Sequence, residues 1–374
     1  MLCSREVHYF ATTTGTTGKP KLIPVTNDLS SSTKLTLSSI MYYCMKRAAG
    51  LDLQRVVVLY FSARTKLLPG GRRCGPVSQF MRKYPAFLVA PADVFDLSDE
   101  QVAYHVLAVF ALQEPEVGRM ETLLATVVYG FWLYIEKHWQ TICEDIERGS
   151  LSLEFLNEKL DRSSSESAAS NMNLLLKIST QLTPNPRRAA RLRREFQAGF
   201  HNICKRVWPN MTSVRMLNTG GFAHAAGILR DVYMPGVAQL SFLHVSSEGF
   251  VGIDVSCIPS AGTYTAATQM TFFEFIREAD SGEEQPDTLL ADQLKVGESY
   301  EVVLTTDRGL YRYRMGDIVK VERFYNQCPV FSFQYRSVVS TCTYKSTRNS
   351  RIESSNQCPV NANTMFLLVE SGKL

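Results

Sequence analysis

Apolar and polar positions follow two rhythms in this chain, and the change falls near Trp208. Before it, helical spacing dominates. Leu29–Gly50 carries apolar residues at three- and four-residue intervals. Ser98 or Asp99 can cap a helix reaching to about Gln113, and Pro115 stops it. The spacing predicts one long helix over Met120–Arg148, with Trp132 and Trp139 on it and Gly149 ending it. Leu151–Ser170 is polar, with serines at 163–165, and Pro184 and Pro186 mark a further break. Arg187–Cys204 is again helical. Two runs here are β-prone instead: Val7–Ala11, and Arg55–Ser62, which reads as a buried strand. Lys66–Pro91 is rich in loop residues.

After Trp208 short strands alternate with turns. They are predicted at Ser213–Leu217, Gln239–Val245, Val251–Cys257, Thr271–Ile276, Tyr300–Thr305, Ile318–Phe324 and Val330–Gln334. Helices and mixed strands first, then a β-rich half, predict an α/β (α+β) domain: mixed sheets flanked by helices, with a barrel-like part. From Ser337 to Leu374 no period survives. Fifteen of these 38 residues are Ser, Thr or Asn, so the stretch is expected to be an unrelated, disordered tail on a domain spanning 1–336.

Length and charge narrow the function classes. The 374 residues, 45% of them apolar, suffice for one large domain or two to three ordinary ones. A net charge of +4 is too mild to imply nucleic acid. Arg187, Arg188, Arg191, Arg193 and Arg194 read as a solvated helix face. The nine cysteines are scattered without a C-x-x-C pair, which suggests neither zinc nor a disulfide framework. Reduced thiols fit an intracellular, cytoplasmic protein. Residues 1–6 show no apolar signal core, and the longest apolar run, near Val127–Ile135, is too short to span a bilayer. Neither G-x-S-x-G nor H-E-x-x-H occurs.

Three stretches carry candidate chemistry. Thr12–Lys21 packs glycines, hydroxyls and two lysines into ten residues, a composition suited to a polyphosphate and equally to a plain turn. It is no Walker A loop, because two residues separate Gly15 from Gly18 and Pro20 replaces the magnesium-holding hydroxyl. His244–Gly249 follows a predicted strand with Ser246, Ser247 and Glu248, which suits phosphate and magnesium or a helix cap. Asp307–Asp317 alternates tyrosine and arginine. As a strand it would place Tyr311 and Tyr313 on one face and Arg312 and Arg314 on the other. Asp317 can accept two hydrogen bonds from vicinal hydroxyls.

Thr13–Lys19, His244–Glu248 and Gly309–Asp317, in that order, resemble the three nucleotide motifs of the auxin-responsive Gretchen Hagen acyl acid–amido synthetases. Those motifs look like (S/T)-(S/T)-G-T-(S/T)-G-K, Y-x-S-S-E and G-L-Y-R-Y-R-x-G-D, and the family belongs to the adenylate-forming superfamily. Trp208-Pro209-Asn210 followed by Thr219-Gly220-Gly221 is similar to the segment before the second motif. The resemblance covers about residues 5 to 336 and is strongest to the vertebrate branch. It implies the large N-terminal domain of an adenylate-forming enzyme. It also implies an ATP-dependent acid–amine ligase, which activates a small carboxylic acid as an acyl-adenylate and passes it to an amino acid or other amine, with no nucleic acid involved.

Carried over by position, Thr13, Thr14, Gly15, Thr16, Thr17, Gly18 and Lys19 would line the phosphates. Gly220, His244, Ser246 and Ser247 would lie near the nucleotide, with Tyr311 beside the ribose and Asp317 holding it. Glu248 would bind Mg2+, and Lys19 and Glu248 would be the catalytic residues. Three departures stand against the pattern. His244 replaces a tyrosine and adds a titratable group. The small C-terminal domain and its closing lysine are expected to be absent. A segment before the first motif is expected to be missing too. The alternative expectation is a degenerate family member that binds nucleotide without catalysis.

Overall fold

The computed structural model describes residues 6–12, 21–26, 39, 43–44, 46–47, 55–60, 66–75, 87–160, 165–256, 258, 262–306 and 309–337. Thr13–Lys19 and the stretch 338–374 therefore lie outside the described residues, as does most of the helix expected at 29–50. Ser39, Tyr43, Cys44, Lys46 and Arg47 within it are helical.

Three sheets organise the described residues. The first has four strands in the order β2-β1-β5-β4, where β1 is Val7–Thr12, β2 Leu22–Thr26, β4 Lys66–Leu67 and β5 Arg73–Gly75. The second is wholly parallel: β3 (Arg55–Val58), β6 (Val117–Leu124), β7 (Ser213–Leu217) and β8 (Ala238–Leu240) lie side by side in that order. The third is a seven-stranded antiparallel sheet. It contains β9 (Leu243–Val245), β10 (Phe250–Ile253), β11 (Thr263–Ala266), β12 (Phe272–Arg277), β13 (Ser299–Thr305), β14 (Tyr313–Tyr325) and β15 (Cys328–Arg336), in the order β12-β13-β14-β15-β11-β10-β9.

The parallel sheet and its helices enclose the larger core. Helix Glu100–Gln113 begins where the Asp99 carboxylate accepts from the Val102 amide at 3.0 Å. Every residue from Val102 to Leu112 is buried, as expected of a helix apolar on all sides. Helix Ala125–Arg148 contributes Trp132, which packs 5.6 Å from Trp208, and closes on Gly149 at φ +68°. Inside this core His105 and Asp145 form a wholly buried pair 2.8 Å apart. Arg148 and Ser152 hold the other carboxylate oxygen, and the Tyr134 hydroxyl meets the second imidazole nitrogen. This cluster ties helix Glu100–Gln113 to helix Ala125–Arg148 and to Ser152 beyond it, and its His105–Asp145 centre is wholly buried, so it reads as packing.

Two expectations need correction, and one stretch for which no element was expected is filled in. The predicted helix Met120–Arg148 is a strand followed by a helix, because Val117–Leu124 is taken up between β3 and β7. Met120–Leu124 carries good helix formers (Met, Glu and two Leu), and only the flanking strands select the extended form. The polar stretch Leu151–Ser170 is largely helical, in Leu153–Leu160 and Ser165–Ser179. A few anchors such as Leu156, Leu175 and Ile178 are enough to seat these helices. The single strand expected over Gln239–Val245 divides at Ser241-Phe242. Its first half joins the parallel sheet and its second half the antiparallel one. That crossing delivers His244 to the junction of the two sheets.

Candidate functional site

The site is assembled where the parallel sheet hands over to the antiparallel one. Strand β7 ends at Leu217 and runs into Asn218-Thr219-Gly220-Gly221. Gly220 has φ +57°, and a Cβ placed there would lie 2.9 Å from Phe333 Cε1. Glycine is therefore required both by backbone angle and by the approach of the β15 ring. Thr219, Gly220, His244, Tyr264 and Phe333 line a cleft of about 130 Å³.

His244 stands at the back of this cleft. Its ring is edge-on to Phe333 at 5.6 Å and 5.5 Å from Tyr264. Its Nδ1 is buried with no hydrogen-bond partner among the described residues, while Nε2 lies 3.4 Å from Asp317. An orphaned ring nitrogen in an aromatic cleft is the kind of group a nucleobase edge can satisfy. Burial pushes the Tyr264 hydroxyl above its usual range, opposed by its hydrogen bonds with Ser241 and Thr219, so it stays a neutral donor and acceptor.

Asp317 is buried and faces Arg336 directly across the β14–β15 ladder. Arg336 Nε lies 3.0 Å from one carboxylate oxygen and His244 approaches the other. Both oxygens are thus oriented from the protein side, which suits recognition of a vicinal diol.

The second motif closes the hairpin between β9 and β10. Ser246 bonds Gly249 through main chain and side chain, so Ser246–Gly249 is a tight turn and not a helix cap. Ser247 Oγ donates to the Thr12 carbonyl at 3.3 Å, at the end of β1. Thr12 pairs with Leu22, so the strands on either side of the phosphate-loop candidates Thr13 to Lys19 are paired with each other. Glu248 is buried, and Tyr313 Oη donates to it at 3.3 Å. Lys21 Nζ in turn donates to Tyr313 Oη at 2.7 Å.

The third motif reaches the site by an irregular path. Gly309 has φ +86° and Arg312 φ +46°, so the regular strand begins only at Tyr313. The expectation that Tyr311 and Tyr313 share a strand face is corrected accordingly. Tyr311 is 63% exposed on the preceding turn. Leu310 packs on Tyr9, Ala11, Ile23 and Val25, fastening the third motif to the strands that flank the first. Arg312 and Arg314 are held by Glu274 and Glu301 and serve the sheet. Arg336, Tyr264 and Phe333 escape a reading by motif, and Tyr313 and Lys21 lie in motif stretches that gave them no role, because the contacts of all five are made across strands distant in sequence.

A second, largely apolar cleft adjoins the first and shares Leu217 and Leu243 with it. Leu123, Leu240 and Phe242 form its walls, and Tyr60 and Arg215 stand at one side. Arg215 is bound by Glu121 and by the Tyr60 hydroxyl. Among the described residues no cluster of three His, Cys, Asp or Glu is disposed to hold a metal. A cation beside Glu248 would take its remaining ligands from a bound phosphate chain and water, as Mg2+ commonly does. No helix of the described residues is long and apolar enough to cross a membrane.

Comparison with known proteins follows the same outline. The GH3 family N-terminal domain matches residues 1–238 and the GH3 family central domain residues 264–336. The chain is 28% identical to "Indole-3-acetic acid-amido synthetase GH3.6" of Arabidopsis thaliana, over 91% of this chain and 58% of that protein. It is 29% identical to GH3.17 of the same plant, over 96% and 63%. A solved "AtGH3.15 acyl acid amido synthetase in complex with 2,4-DB" superposes with a TM-score of 0.74 at 27% identity, covering 89% of this chain and 57% of that one. The chain thus spans about three fifths of the length of these relatives.

Proposed function

Because the chain belongs to the GH3 family, we propose that its three motif segments form the nucleotide half of an acid–amine ligase site. The observation that carries this reading is that segments some 300 positions apart in sequence meet in space. Lys21 reaches Tyr313 across 292 positions, and Asp317, His244 and Glu248 lie around the same junction.

In this reading the purine lies against His244, Tyr264 and Phe333, and Asp317 receives the ribose hydroxyls. Residues Thr13 to Lys19 wrap the phosphates, with Ser246, Ser247, Gly220 and Tyr311 bordering the nucleotide. The apolar body of the carboxylic acid occupies the adjoining leucine-lined cleft. Its carboxylate oxygen attacks the α-phosphorus of ATP, the bond from that phosphorus to the α,β-bridging oxygen breaks, and pyrophosphate departs. An amine, such as an amino acid, then attacks the acyl carbon, AMP leaves and a proton is released. Mg2+ held by Glu248 would offset phosphate charge, with Lys19 adding a second cation. The remainder of the work is positioning by this chain's own groups. Placement in the adenylate-forming superfamily fits the fold. The vertebrate branch is a finer part of the same reading.

Two measurements test it. ATP with Mg2+ is expected to raise the unfolding temperature of the purified chain, and Asp317→Ala to abolish that rise while the variant still unfolds cooperatively. Pyrophosphate release with a panel of carboxylic acids then separates ligase from nucleotide binder. An ATP response that survives Asp317→Ala would overturn the site assignment.

A further inference from the structure

We propose that Tyr313 is a positioning residue for the metal–phosphate end of the site, joining Lys21 to Glu248 through a hydroxyl relay of fixed direction. This rests on the reading of Glu248 as the Mg2+ ligand, and gives a role to a tyrosine of the third motif that had none.

The direction follows from the chemistry of the three groups. A lysine ammonium only donates, and an ionised carboxylate only accepts. Tyr313 Oη receives from Lys21 Nζ at 2.7 Å, so its own proton is left to point at Glu248 Oε1, 3.3 Å away. The lysine also lies 5.0 Å from the centroid of the same ring, which holds it over the tyrosine. The second contact is long for an O–H donor, as such bonds often are before substrate closes a site.

The relay ties together three pieces that must act at once. Lys21 directly follows the connection 13–20. Glu248 sits on the β9–β10 turn, and Tyr313 opens β14. On the other side of the connection, Ser247 Oγ binds the Thr12 carbonyl. Both ends of the phosphate-loop segment are therefore fastened to the Glu248 turn, one directly and one through Tyr313. By holding one oxygen of Glu248, Tyr313 leaves the other for an incoming cation. Groups that orient a metal ligand in this way commonly change metal affinity by an order of magnitude when removed.

The test separates metal binding from nucleotide binding. Thermal stabilisation of the full chain by ATP is followed while Mg2+ is titrated, and again in EDTA. Tyr313→Phe keeps the ring and removes only the hydroxyl. It is expected to raise the half-saturating Mg2+ about tenfold, with ATP stabilisation in EDTA unchanged. Lys21→Met, which frees the hydroxyl to rotate, is expected to shift it in the same direction by less. A Tyr313→Phe titration that overlays the parent chain overturns the relay. If Glu248→Gln leaves the Mg2+ dependence intact, the metal assignment itself fails and the relay fails with it. A loss of ATP stabilisation in EDTA as well would mark Tyr313 as a general structural residue and also overturn the proposal.

Discussion

Replacing Gly220 by alanine perturbs a close contact in the wall of the His244 cleft, and its neighbour supplies the control. Gly220 sits at φ +57°, where a Cβ would meet Phe333 Cε1 at 2.9 Å. Gly221, one position on, has nothing within 4 Å of its Cβ position. A left-handed backbone costs an L-residue about 1–2 kcal/mol. Forcing the phenyl ring to retreat adds about 1–3 kcal/mol, the usual range for overpacking. Together these give a loss of about 2–5 kcal/mol. At about 2.1 cal/mol/K per residue, a folding unit of roughly 340 residues has an unfolding entropy near 0.7 kcal/mol/K, so the midpoint should fall by about 3–7 °C. Phe333 stands edge-on to His244, so its displacement should also weaken the ATP response. Differential scanning calorimetry of both alanine variants, with and without ATP, reads both effects. Gly221→Ala should stay within a degree or so of the parent, since a compatible Gly-to-Ala change is neutral to mildly stabilising. Equal midpoints for the two variants would refute the reasoning.

Two further outcomes follow from the larger core. Trp208 Nε1 donates to the carbonyls of Ala111 and Glu114, whereas Trp132 Nε1 is buried with no partner among the described residues. Trp208→Phe orphans two acceptors and should cost about 1–3 kcal/mol more than Trp132→Phe in urea unfolding; the reverse order would contradict the assignment. Burial alone would raise the Asp145 carboxyl, but hydrogen bonds from His105 and Ser152 outweigh it and hold the group below its ordinary range. A depressed carboxyl contributes stability that is present above the unfolded-state value and is lost as pH falls through the folded one. Asp145→Asn, which breaks a buried pair, should therefore cost about 3–5 kcal/mol near neutrality, with the gap narrowing below about pH 4. Urea midpoints at several pH values check this, and a gap that widens in acid would exclude it.

Much of the local architecture was legible in the residues themselves. Asp99 and Gly149 mark a helix start and a helix end by side-chain capping and left-handed backbone, both local properties. Ser213–Leu217 was readable as a strand from its own composition, and the matched domains coincide with the order of the three motifs. Motif order carries the family because each motif is a contiguous run. Legibility failed where neighbours in space decide the outcome. Val117–Leu124 is a strand only because β3 and β7 flank it, and Thr263–Ala266 was missed as a strand although it lies between β10 and β15.

What the sequence determined by itself, then, is the family, the sites of the motif turns and the capped helices, since these depend on residues close along the chain. The tertiary structure alone decided which groups share a cleft. Strand exchange at Ser241-Phe242 carries His244 onto Asp317 and Phe333, and the β14–β15 register sets Arg336 opposite Asp317. Arg312, by adopting φ +46°, keeps Tyr311 off the strand and leaves Tyr313 to meet Lys21 and Glu248. Pairing register and backbone handedness at such points are settled by packing over hundreds of positions, so no local pattern announces them.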